Sequence, residues 1–394
     1  MKVAQINASL QGSTGKICKA VSEKLTEKGV ENYIFYSARE SDFSRGIKYQ
    51  KDGYTRMQTG FSRLFGNYGF NARSSTKALI KKLKTLQVDV VHLHNVHSHN
   101  LHLGLFFKYI KSANVKVFWT FHDCWAFTGY CPHFDMIGCK KWQTGCYDCS
   151  QKKRYSWLFD KSKRLYEKKR KSLTGVKDMT IITPSNWLAG LVKKSFLKTY
   201  PVQIIHNGID LSVFKPTESD FKEKHGLHNK KIVLGVAFDW DERKGLDVFI
   251  ELSKRLASDY QIVLVGTDEK IDKQLPENIL SIHRTQNQKE LAEIYTSADV
   301  FVNPTREENY PTVNMEAIAC GTPVVTFQTG GSPEIIDETC GFVVEKNDID
   351  GIQVCVERVC KEKPFAKEAC VNKARAFDQN ERLQEYVALY GGGK

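Results

Sequence analysis

The sequence predicts an α/β fold made of two doubly wound, Rossmann-like domains. Short apolar runs alternate with amphipathic segments along the whole chain, a pattern typical of parallel sheets covered by helices. The 394 residues suffice for two domains, each with a core of its own. A second series of strands begins at residue 231, after an Asn207-Gly208 turn and Pro216. We therefore predict an N-terminal domain over residues 1–205, a second domain over 206–378, and a C-terminal helix over 379–394.

The predicted elements alternate in order along both halves. In the first half, apolar runs predict strands at residues 2–7, 32–36, 89–94, 116–121, 179–183 and 202–205. Helical periodicity predicts helices at residues 15–28, 76–85, 102–112, 157–173 and 186–195. In the second half, the predicted strands are residues 231–237, 261–266, 279–282, 300–303, 323–326 and 341–344. The predicted helices there are residues 244–256, 288–296, 311–319 and 350–360, followed by a helical segment over 364–390.

The net charge of +13 is distributed very unevenly. Residues 1–205 have 35 Lys and Arg against 13 Asp and Glu, whereas residues 206–394 have 23 against 32. A basic half favours an anionic partner. Because no helix-turn-helix, RNA-binding or OB motif accompanies it, we expect anionic lipid headgroups and no nucleic acid.

The most basic stretch is residues 152–171, with ten Lys and Arg in twenty residues and several aromatic residues among them. This pattern fits a helix that lies at a bilayer interface, and it fits equally well a helix whose apolar face packs in the core. The chain lacks the run of about 18 apolar residues that a membrane span needs, and Met1–Asn7 resembles a first strand. We therefore expect a cytoplasmic protein that is peripheral at the inner face of the cell membrane.

A cysteine-rich segment, residues 124–149, forms what we call the cysteine loop. Four of its cysteines have the spacing C-x7-C-x6-C-x2-C, namely Cys131, Cys139, Cys146 and Cys149. In a cytosolic chain, this density favours a structural Zn²⁺ over disulfides, and four thiolate ligands leave no open position for catalysis. The alternative is a loop of reduced thiols.

Two glutamates, Glu308 and Glu316, stand eight residues apart on either side of a predicted helix start. Pro311 suits the first turn of a helix and Thr312 can cap it, so the second carboxylate lies about one turn inside that helix. The free backbone N–H groups of Thr312, Val313 and the next residue form a site suited to a diphosphate. One carboxylate near a sugar and one near a ribose, with phosphates between them, describe a nucleotide-sugar pocket.

This segment, NPTREENYPTVNMEAIACGTPVV, resembles the E-x7-E signature of retaining glycosyltransferases of family 4. Those enzymes have the GT-B fold, in which two Rossmann-like domains face each other across a cleft. Their final helix crosses back to pack on the first domain, and the resemblance implies the same for residues 379–394. The resemblance extends to His206-Asn207-Gly208-Ile209-Asp210, Arg243-Lys244-Gly245, Gly330-Gly331-Ser332-Pro333-Glu334 and Thr183-Pro184-Ser185. It implies retaining hexosyl transfer from a UDP- or GDP-linked sugar to a hydroxyl of a lipid-linked saccharide in polysaccharide biosynthesis, without a catalytic metal.

The resemblance also implies roles for individual residues. Glu308 is expected to bind sugar hydroxyls and Glu316 the ribose, with His122, at the end of a predicted strand, contacting the donor sugar. Lys244 and Arg243 follow the first strand of the second domain, where cations would neutralise the departing diphosphate. The other expected donor-binding residues are Asn309, Tyr310, Pro311, Thr312, Val313, Asn207, Gly15 and Arg284.

Two positions depart from the family pattern. Asn309-Tyr310 replaces the frequent Gly-Phe pair, and Phe238 stands where many relatives have an arginine. Arg284 belongs to the loop 283–285, which we expect to contact the base.

Other motifs are weaker. Asp239-Trp240-Asp241 matches the metal-binding D-x-D of another glycosyltransferase architecture, and the loop 12–16 lacks the residues of a true P-loop. His92 and His94 share one strand face and could bind a metal, although packing explains them as well. Alternative functions are a nucleotide-sugar epimerase or hydrolase on the same fold, and a non-catalytic basic scaffold that binds membrane or nucleic acid.

Overall fold

The computed structural model describes residues 1–97 and 99–391 of the chain. The described chain forms two compact units. The first comprises Met1–Ile205 together with the chain from Leu383 onward, and the second comprises His206–Arg382. The last three residues of the predicted segment 379–394 lie outside the described residues.

The first unit is built on a sheet of seven parallel strands in the order β3-β2-β1-β4-β5-β6-β7. Its strands are β1 (Lys2–Ile6), β2 (Glu31–Tyr36), β3 (Gly46–Lys48), β4 (Val90–Leu93), β5 (Lys116–Thr120), β6 (Met179–Thr183) and β7 (Val202–Ile204). Its helices are α1 (Gly12–Glu27), α2 (Asp52–Phe65), α3 (Arg73–Leu86), α4 (Leu103–Ser112), α5 (Lys152–Tyr155), α6 (Ser162–Leu173) and α7 (Asn186–Lys194). The central strands are apolar and buried because helices cover both faces of the sheet.

The second unit is built on six parallel strands in the order β10-β9-β8-β11-β12-β13. The strands are β8 (Lys231–Val236), β9 (Tyr260–Val265), β10 (Ile279–Ile282), β11 (Val300–Asn303), β12 (Val324–Phe327) and β13 (Gly341–Val344). The helices are α8 (Phe221–Lys224), α9 (Leu246–Arg255), α10 (Glu269–Asp272), α11 (Gln288–Ser297), α12 (Thr312–Ala319), α13 (Ile349–Glu362) and α14 (Lys367–Ala374). A last helix, α15 (Gln379–Gly391), begins in the second unit and continues into the first.

The end of α15 belongs to the core of the first unit. Leu383, Tyr386 and Tyr390 cluster there with buried residues of the sheet such as Val3 and Phe118. The Tyr390 hydroxyl also makes a hydrogen bond with Nδ1 of the buried His92 on β4. Aromatic and aliphatic burial together with this polar contact anchor the C-terminal residues.

All twelve predicted strands are present within one or two residues of their predicted ends. Among the described residues, the strand β3 and the helices α2, α5, α8 and α10 were not predicted. The strand β3 has only three residues, all half-buried, so its apolar signal is weak. The helix α2 buries polar Gln58 and Ser62, which inverts the pattern that sequence analysis seeks.

The predicted helix over residues 157–173 begins five residues later, at Ser162. Asp160 lies ahead of it, and its Oδ1 accepts a hydrogen bond from the Ser162 backbone N–H at 2.8 Å. Residues 157–159 are therefore not helical. The helix α1, in contrast, begins three residues earlier than predicted, at Gly12.

Candidate functional site

The centre of the candidate site is the point where the order of strands reverses in the second unit. β8 and β11 are neighbours in the sheet, and the chain leaves them towards opposite sides. In open α/β sheets, ligands bind beyond the carboxyl ends of the strands at such a point. The loop after β8 contains Arg243 and Lys244, and the loop after β11 contains Glu308.

The two loops meet through an ion pair. Lys244 Nζ donates to Glu308 Oε2 at 2.6 Å, and each side chain keeps 21% of its surface exposed. The Asp241 carboxylate accepts a hydrogen bond from the Lys244 backbone N–H at 2.9 Å and thereby caps the short 3₁₀ turn Glu242–Lys244. Arg243 Nε lies 3.7 Å from the other oxygen of Asp241. The sequence analysis predicted Arg243, Lys244 and Glu308 from separate motifs, and the structure places Lys244 and Glu308 in direct contact.

Arg306, which the sequence analysis did not select, joins the same two loops. Its guanidinium makes two parallel 2.7 Å bonds to the Asp247 carboxylate. It also donates to the Glu242 carbonyl, and to Asn347 Oδ1 at 2.7 Å. The Arg306 backbone N–H donates to the Arg243 carbonyl at 2.8 Å. Only 9% of its side chain is exposed, so Arg306 holds the cationic loop against the glutamate loop rather than facing solvent.

The N-terminus of α12 lies directly after Tyr310 and Pro311. Pro311 is the N-cap residue, Thr312 is the first helical residue, and no side chain caps the helix, so the predicted capping by Thr312 is wrong. A proline N-cap has no side-chain oxygen that could accept the helix N–H groups. Thr312 and Val313 are half-buried at this helix end.

Tyr310 holds the turn that precedes α12. Its ring stacks on His206 with centroids 4.7 Å apart, and Asn207 Nδ2 donates to the Tyr310 carbonyl at 3.1 Å. Burial raises the pKa of the Tyr310 hydroxyl. Asn207 thus has a positioning contact here, and direct contacts of Asn207, Asn309, Tyr310 and Pro311 with a donor stay predictions.

Glu316 lies about one turn inside α12, as predicted. Its Oε2 accepts a hydrogen bond from the Tyr295 hydroxyl at 3.2 Å. Burial, followed by the nearby Glu316 carboxylate, raises the pKa of Tyr295. Tyr295 therefore orients the carboxylate, and the binding of a ribose by Glu316 stays a prediction.

Gly330 allows a close backbone approach behind Glu308. Its φ is +58°, and a Cβ atom at this position would lie 1.8 Å from the Glu308 carbonyl oxygen, so no side chain fits. The hydroxyls of Thr329 and Ser332, on either side of this turn, are buried without a hydrogen-bond partner in the described part of the chain. Unsatisfied buried hydroxyls are rare in folded proteins, and this turn has two of them.

Arg284 lies on an exposed loop after β10. Its guanidinium carbon stands 5.7 Å from the ring centroid of Phe238, a residue of the β8 loop that is 80% exposed. The pair places a cation beside the position where many relatives have an arginine. Base binding by Arg284 is not tested by this contact.

In the first unit, His122 follows β5 and contacts a second histidine. His122 Nε2 lies 3.4 Å from His94 Nδ1, and burial lowers the pKa of His122 to about 4. Next to it, Asp123 Oδ2 lies 2.9 Å from His97 Nε2. Burial would raise the pKa of Asp123, but the adjacent His97 outweighs it and the pKa is lowered to about 2. These contacts leave the donor-sugar role of His122 a prediction.

Gly15 lies inside the first turn of α1 rather than in a loop. A Cβ atom there would stand 2.4 Å from the Leu10 carbonyl carbon, so Gly15 allows the helix to pack on the preceding turn. A contact of Gly15 with the donor stays a prediction.

The cysteine loop surrounds a cavity of about 40 Å³, and its lining includes Cys131, Cys139, Cys146 and Cys149. A hydrogen bond from the Cys131 thiol lowers the pKa of Cys149. Over residues 1–97 and 99–391, no three His, Cys, Asp or Glu side chains are gathered closely enough to hold a metal ion. The D-x-D segment Asp239–Asp241 and the pair of His92 and His94 are therefore not part of such a group within the described residues. Zinc binding by the four cysteines stays a prediction.

Comparison with known proteins supports this description. The family model described as Glycosyltransferase Family 4 matches residues 15–213, and the model described as Glycosyl transferases group 1 matches residues 217–382. The chain is 23% identical to the WcaC protein of Escherichia coli, whose name describes a colanic acid biosynthesis glycosyl transferase, over 99% of both chains. It is 26% identical, over 99% of both chains, to an uncharacterized protein in the cps region of Klebsiella pneumoniae.

Among solved structures, HepE from Anabaena in complex with UDP superposes with a TM-score of 0.70 at 13% identity over 100% of both chains. This similarity concerns the fold. The predicted fold class, two doubly wound α/β domains of the GT-B type, is confirmed. No helix in the described parts of the chain is long and apolar enough to cross a bilayer. The chain is a glycosyltransferase and belongs to glycosyltransferase family 4.

Proposed function

We propose that this glycosyltransferase moves a hexosyl group from a nucleoside diphosphate sugar to a hydroxyl of a lipid-linked saccharide, with retention of the anomeric configuration. The observation that carries this proposal is the 2.6 Å pair of Lys244 and Glu308 at the strand-order reversal of the second unit. The N-terminus of α12 follows Glu308 by only four residues. A cation, a carboxylate and a helix N-terminus are the groups that phosphates and sugar hydroxyls require.

The proposed roles follow from this geometry. An ammonium group has three N–H donors, so Lys244 can keep one bond to Glu308 while another binds a phosphate oxygen. The other oxygen, Glu308 Oε1, accepts a hydrogen bond from the Asn309 backbone N–H at 3.1 Å, and because a carboxylate oxygen can accept more than one hydrogen bond, Glu308 suits the hydroxyls of a sugar. Arg243 supplies a second positive charge on the same turn, and the N–H groups at the start of α12 supply partial positive charge.

The chemical step we propose breaks one bond and forms one bond at the anomeric carbon. The bond from this carbon to the diphosphate oxygen breaks, and the acceptor oxygen attacks from the same face of the oxocarbenium-like ion pair. The acceptor proton passes to the departing phosphate oxygen, so the step needs no external base. Lys244, Arg243 and the start of α12 stabilise the diphosphate as its charge grows.

The relatives support the proposed substrates. HepE was solved in complex with UDP and, separately, with UDP-glucose, which favours a uridine donor over a guanosine donor. WcaC and the cps-region protein are associated by name with colanic acid biosynthesis and with a cps region. We therefore propose assembly of a surface polysaccharide on a lipid-linked acceptor at the inner face of the cell membrane.

The test is a transfer assay with a panel of UDP- and GDP-linked sugars and membrane-extracted acceptors. Glu308→Gln and Lys244→Met should each lower kcat/KM by about 100-fold or more, because each removes a charged group proposed to contact the donor. Glu251→Gln, which changes a half-buried glutamate on α9 that pairs with Lys254 and Arg255, is the matched control and should transfer normally. We predict that EDTA leaves the rate unchanged, and that NMR shows the product with the donor's anomeric configuration.

Three outcomes would contradict the proposal. Normal transfer by both site variants would remove Lys244 and Glu308 from the reaction. Conversion of the donor without any acceptor would favour an epimerase or hydrolase. A product of inverted configuration would exclude the same-face step.

A further inference from the structure

The helix α2 exposes apolar residues and buries polar ones, which is the reverse of an ordinary surface helix. Its buried residues are the polar Gln58 and Ser62, while Met57, Phe61 and Phe65 are exposed. Spacings of four residues place these three on one face, and the rings of Phe61 and Phe65 stack with centroids 6.0 Å apart. An amphipathic helix normally directs its apolar face into the core. Here that face points outward.

A second apolar segment lies beside α2. Trp157, Leu158 and Phe159 are consecutive and exposed, with 63% of the Trp157 surface accessible. The Trp157 backbone N–H donates to the carbonyl of Arg63, in the last turn of α2, at 2.8 Å. This bond joins the two segments, so the six exposed residues form one patch, which we call the apolar surface: Met57, Phe61, Phe65, Trp157, Leu158 and Phe159.

The apolar surface is bordered by positive charge. The segments 52–65 and 152–164 contain eight Lys and Arg against two Asp. Arg56, Arg63 and the run Lys152–Arg154 are exposed. Lys161 Nζ lies 5.5 Å from the centroid of the Phe159 ring, where a long basic side chain lies over an exposed aromatic residue.

We propose that the apolar surface inserts into the interface of a bilayer that contains anionic lipids. Large exposed apolar patches on soluble proteins mark interaction sites. Trp, Phe and Leu are the side chains that bury at the headgroup boundary, and the surrounding Lys and Arg are attracted to anionic headgroups. Each of the two apolar segments has cations of its own, which suits an extended anionic plane. The inference deepens the proposed function, since it rests on the lipid-linked acceptor assigned there.

The structure assigns this contact to a different element from the one that the sequence suggested. The helix α6, which contains most of the basic stretch 152–171, buries Leu165, Tyr166 and Leu173 and so has its apolar face in the core. Lys169 of α6 is also buried, with its Nζ 3.6 Å from the ring centroid of Trp125. The alternative of a core-packed helix therefore holds for α6, and the exposed apolar residues precede it.

The experiment measures co-sedimentation of the full chain with vesicles of phosphatidylcholine alone, and of phosphatidylcholine with phosphatidylglycerol. We expect binding to the mixed vesicles only. The variant F61S/W157S/F159S keeps every charge and should partition at least about tenfold less. The variant K152Q/K153Q/R154Q keeps the apolar surface and should also bind about tenfold less, with a weaker dependence on salt.

Val354→Ser is the matched control, since Val354 is an exposed apolar residue of the second unit and lies outside the apolar surface. It should bind vesicles like the wild type. Thermal unfolding of each variant checks that the chain is folded, which is expected because the replaced side chains are exposed. Quenching of tryptophan fluorescence by brominated lipid should fall in Trp157→Phe, because Trp157 is proposed to enter the bilayer.

The proposal is overturned if the wild type does not bind anionic vesicles, or if F61S/W157S/F159S binds them as tightly as the wild type. The second result would mean that the positive charge alone drives binding. A wild-type dimer that the same variant converts to monomer, without vesicle binding, would assign the surface to a second copy of the chain. Neither donor nor acceptor enters this assay, so it can fail while the transferase assignment stands, and the transfer assay can fail while vesicle binding remains.

Discussion

Replacing Arg306 by methionine tests how far the two site loops depend on one buried guanidinium. The substitution keeps much of the apolar stem but removes two bonds to Asp247, one to Asn347 and one to the Glu242 carbonyl. A hydrogen bond to a charged group contributes about 1.5–3 kcal/mol. Because 47% of the Asp247 side chain is exposed, solvent replaces part of this energy. We expect a loss of about 3 kcal/mol in the free energy of unfolding.

This loss should appear in both stability and catalysis. At about 3 °C per kcal/mol for a unit of this size, the Tm of the second unit should fall by about 9 °C. Displacement of the Arg243–Lys244 turn should lower kcat by about 100-fold, since small misplacements of catalytic groups are costly. KM should change much less if donor binding is shared with α12. Arg306→Lys retains the charge without the forked geometry, so it should recover only part of kcat.

The control is Arg255→Met, because Arg255 also contacts two carboxylates, Glu251 and Asp350, but lies at the far end of α9. It should keep wild-type kcat. The reasoning is refuted if Arg306→Met loses stability as expected while kcat stays within about twofold of the wild type, measured well below its Tm. In that case other contacts hold the Arg243–Lys244 turn, and Arg306 has a purely structural role.

Three further predictions concern other parts of the chain. Burial lowers the pKa of His92 from 6.5 to about 3 and that of His122 to about 4. As the pH falls, these histidines are therefore protonated at a higher pH in the unfolded chain than in the folded chain. The free energy of unfolding, measured with urea, should therefore keep the full contribution of both histidines above pH 6.5 and fall by up to about 1.4 kcal/mol per pH unit for each group between pH 6.5 and 4. The decrease should be smaller in His122→Gln. Arg284→Ala should raise KM for the donor several-fold, whereas Phe238→Leu, which removes the aromatic contact, should have a smaller effect; equal KM values would exclude Arg284 from the donor site. Elemental analysis of the purified chain should find about one zinc ion, lost in Cys149→Ser, and four freely titratable thiols in a metal-free wild type would contradict this.

The fold was predictable because its signals are local. Each central strand, such as β8 or β11, is a continuous apolar run that only a sheet covered on both faces can bury. The turn at Asn207-Gly208 and the restart of strands at Lys231 were enough to divide the chain near residue 205. Element ends were less predictable, because they depend on local side-chain contacts such as the hydrogen bond that Asp160 accepts from the Ser162 backbone N–H ahead of α6.

The candidate site was predictable only as separate motifs. Glu308 and Glu316 were recognised by their spacing, and Lys244 by its position after a strand. Lys244 and Glu308 are 64 positions apart in the sequence, and nothing in the sequence indicates that the two side chains meet at 2.6 Å. Arg306 was missed because an arginine next to acidic residues in sequence normally indicates a solvated loop, whereas its partner Asp247 comes from another element.

By itself, the sequence determined the fold class, the family and the residue types of the site, because apolar periodicity and short motifs are properties of neighbouring residues. Tertiary structure alone decided which side of each element meets solvent. The helix α2 exposes Met57, Phe61 and Phe65 and buries Gln58 and Ser62, and Asn71 Nδ2 donates a 2.6 Å hydrogen bond to the buried Ser62 Oγ. The sequence shows that a helix has two different faces, and hydrogen bonds and burial between distant segments decide which of them points to the core.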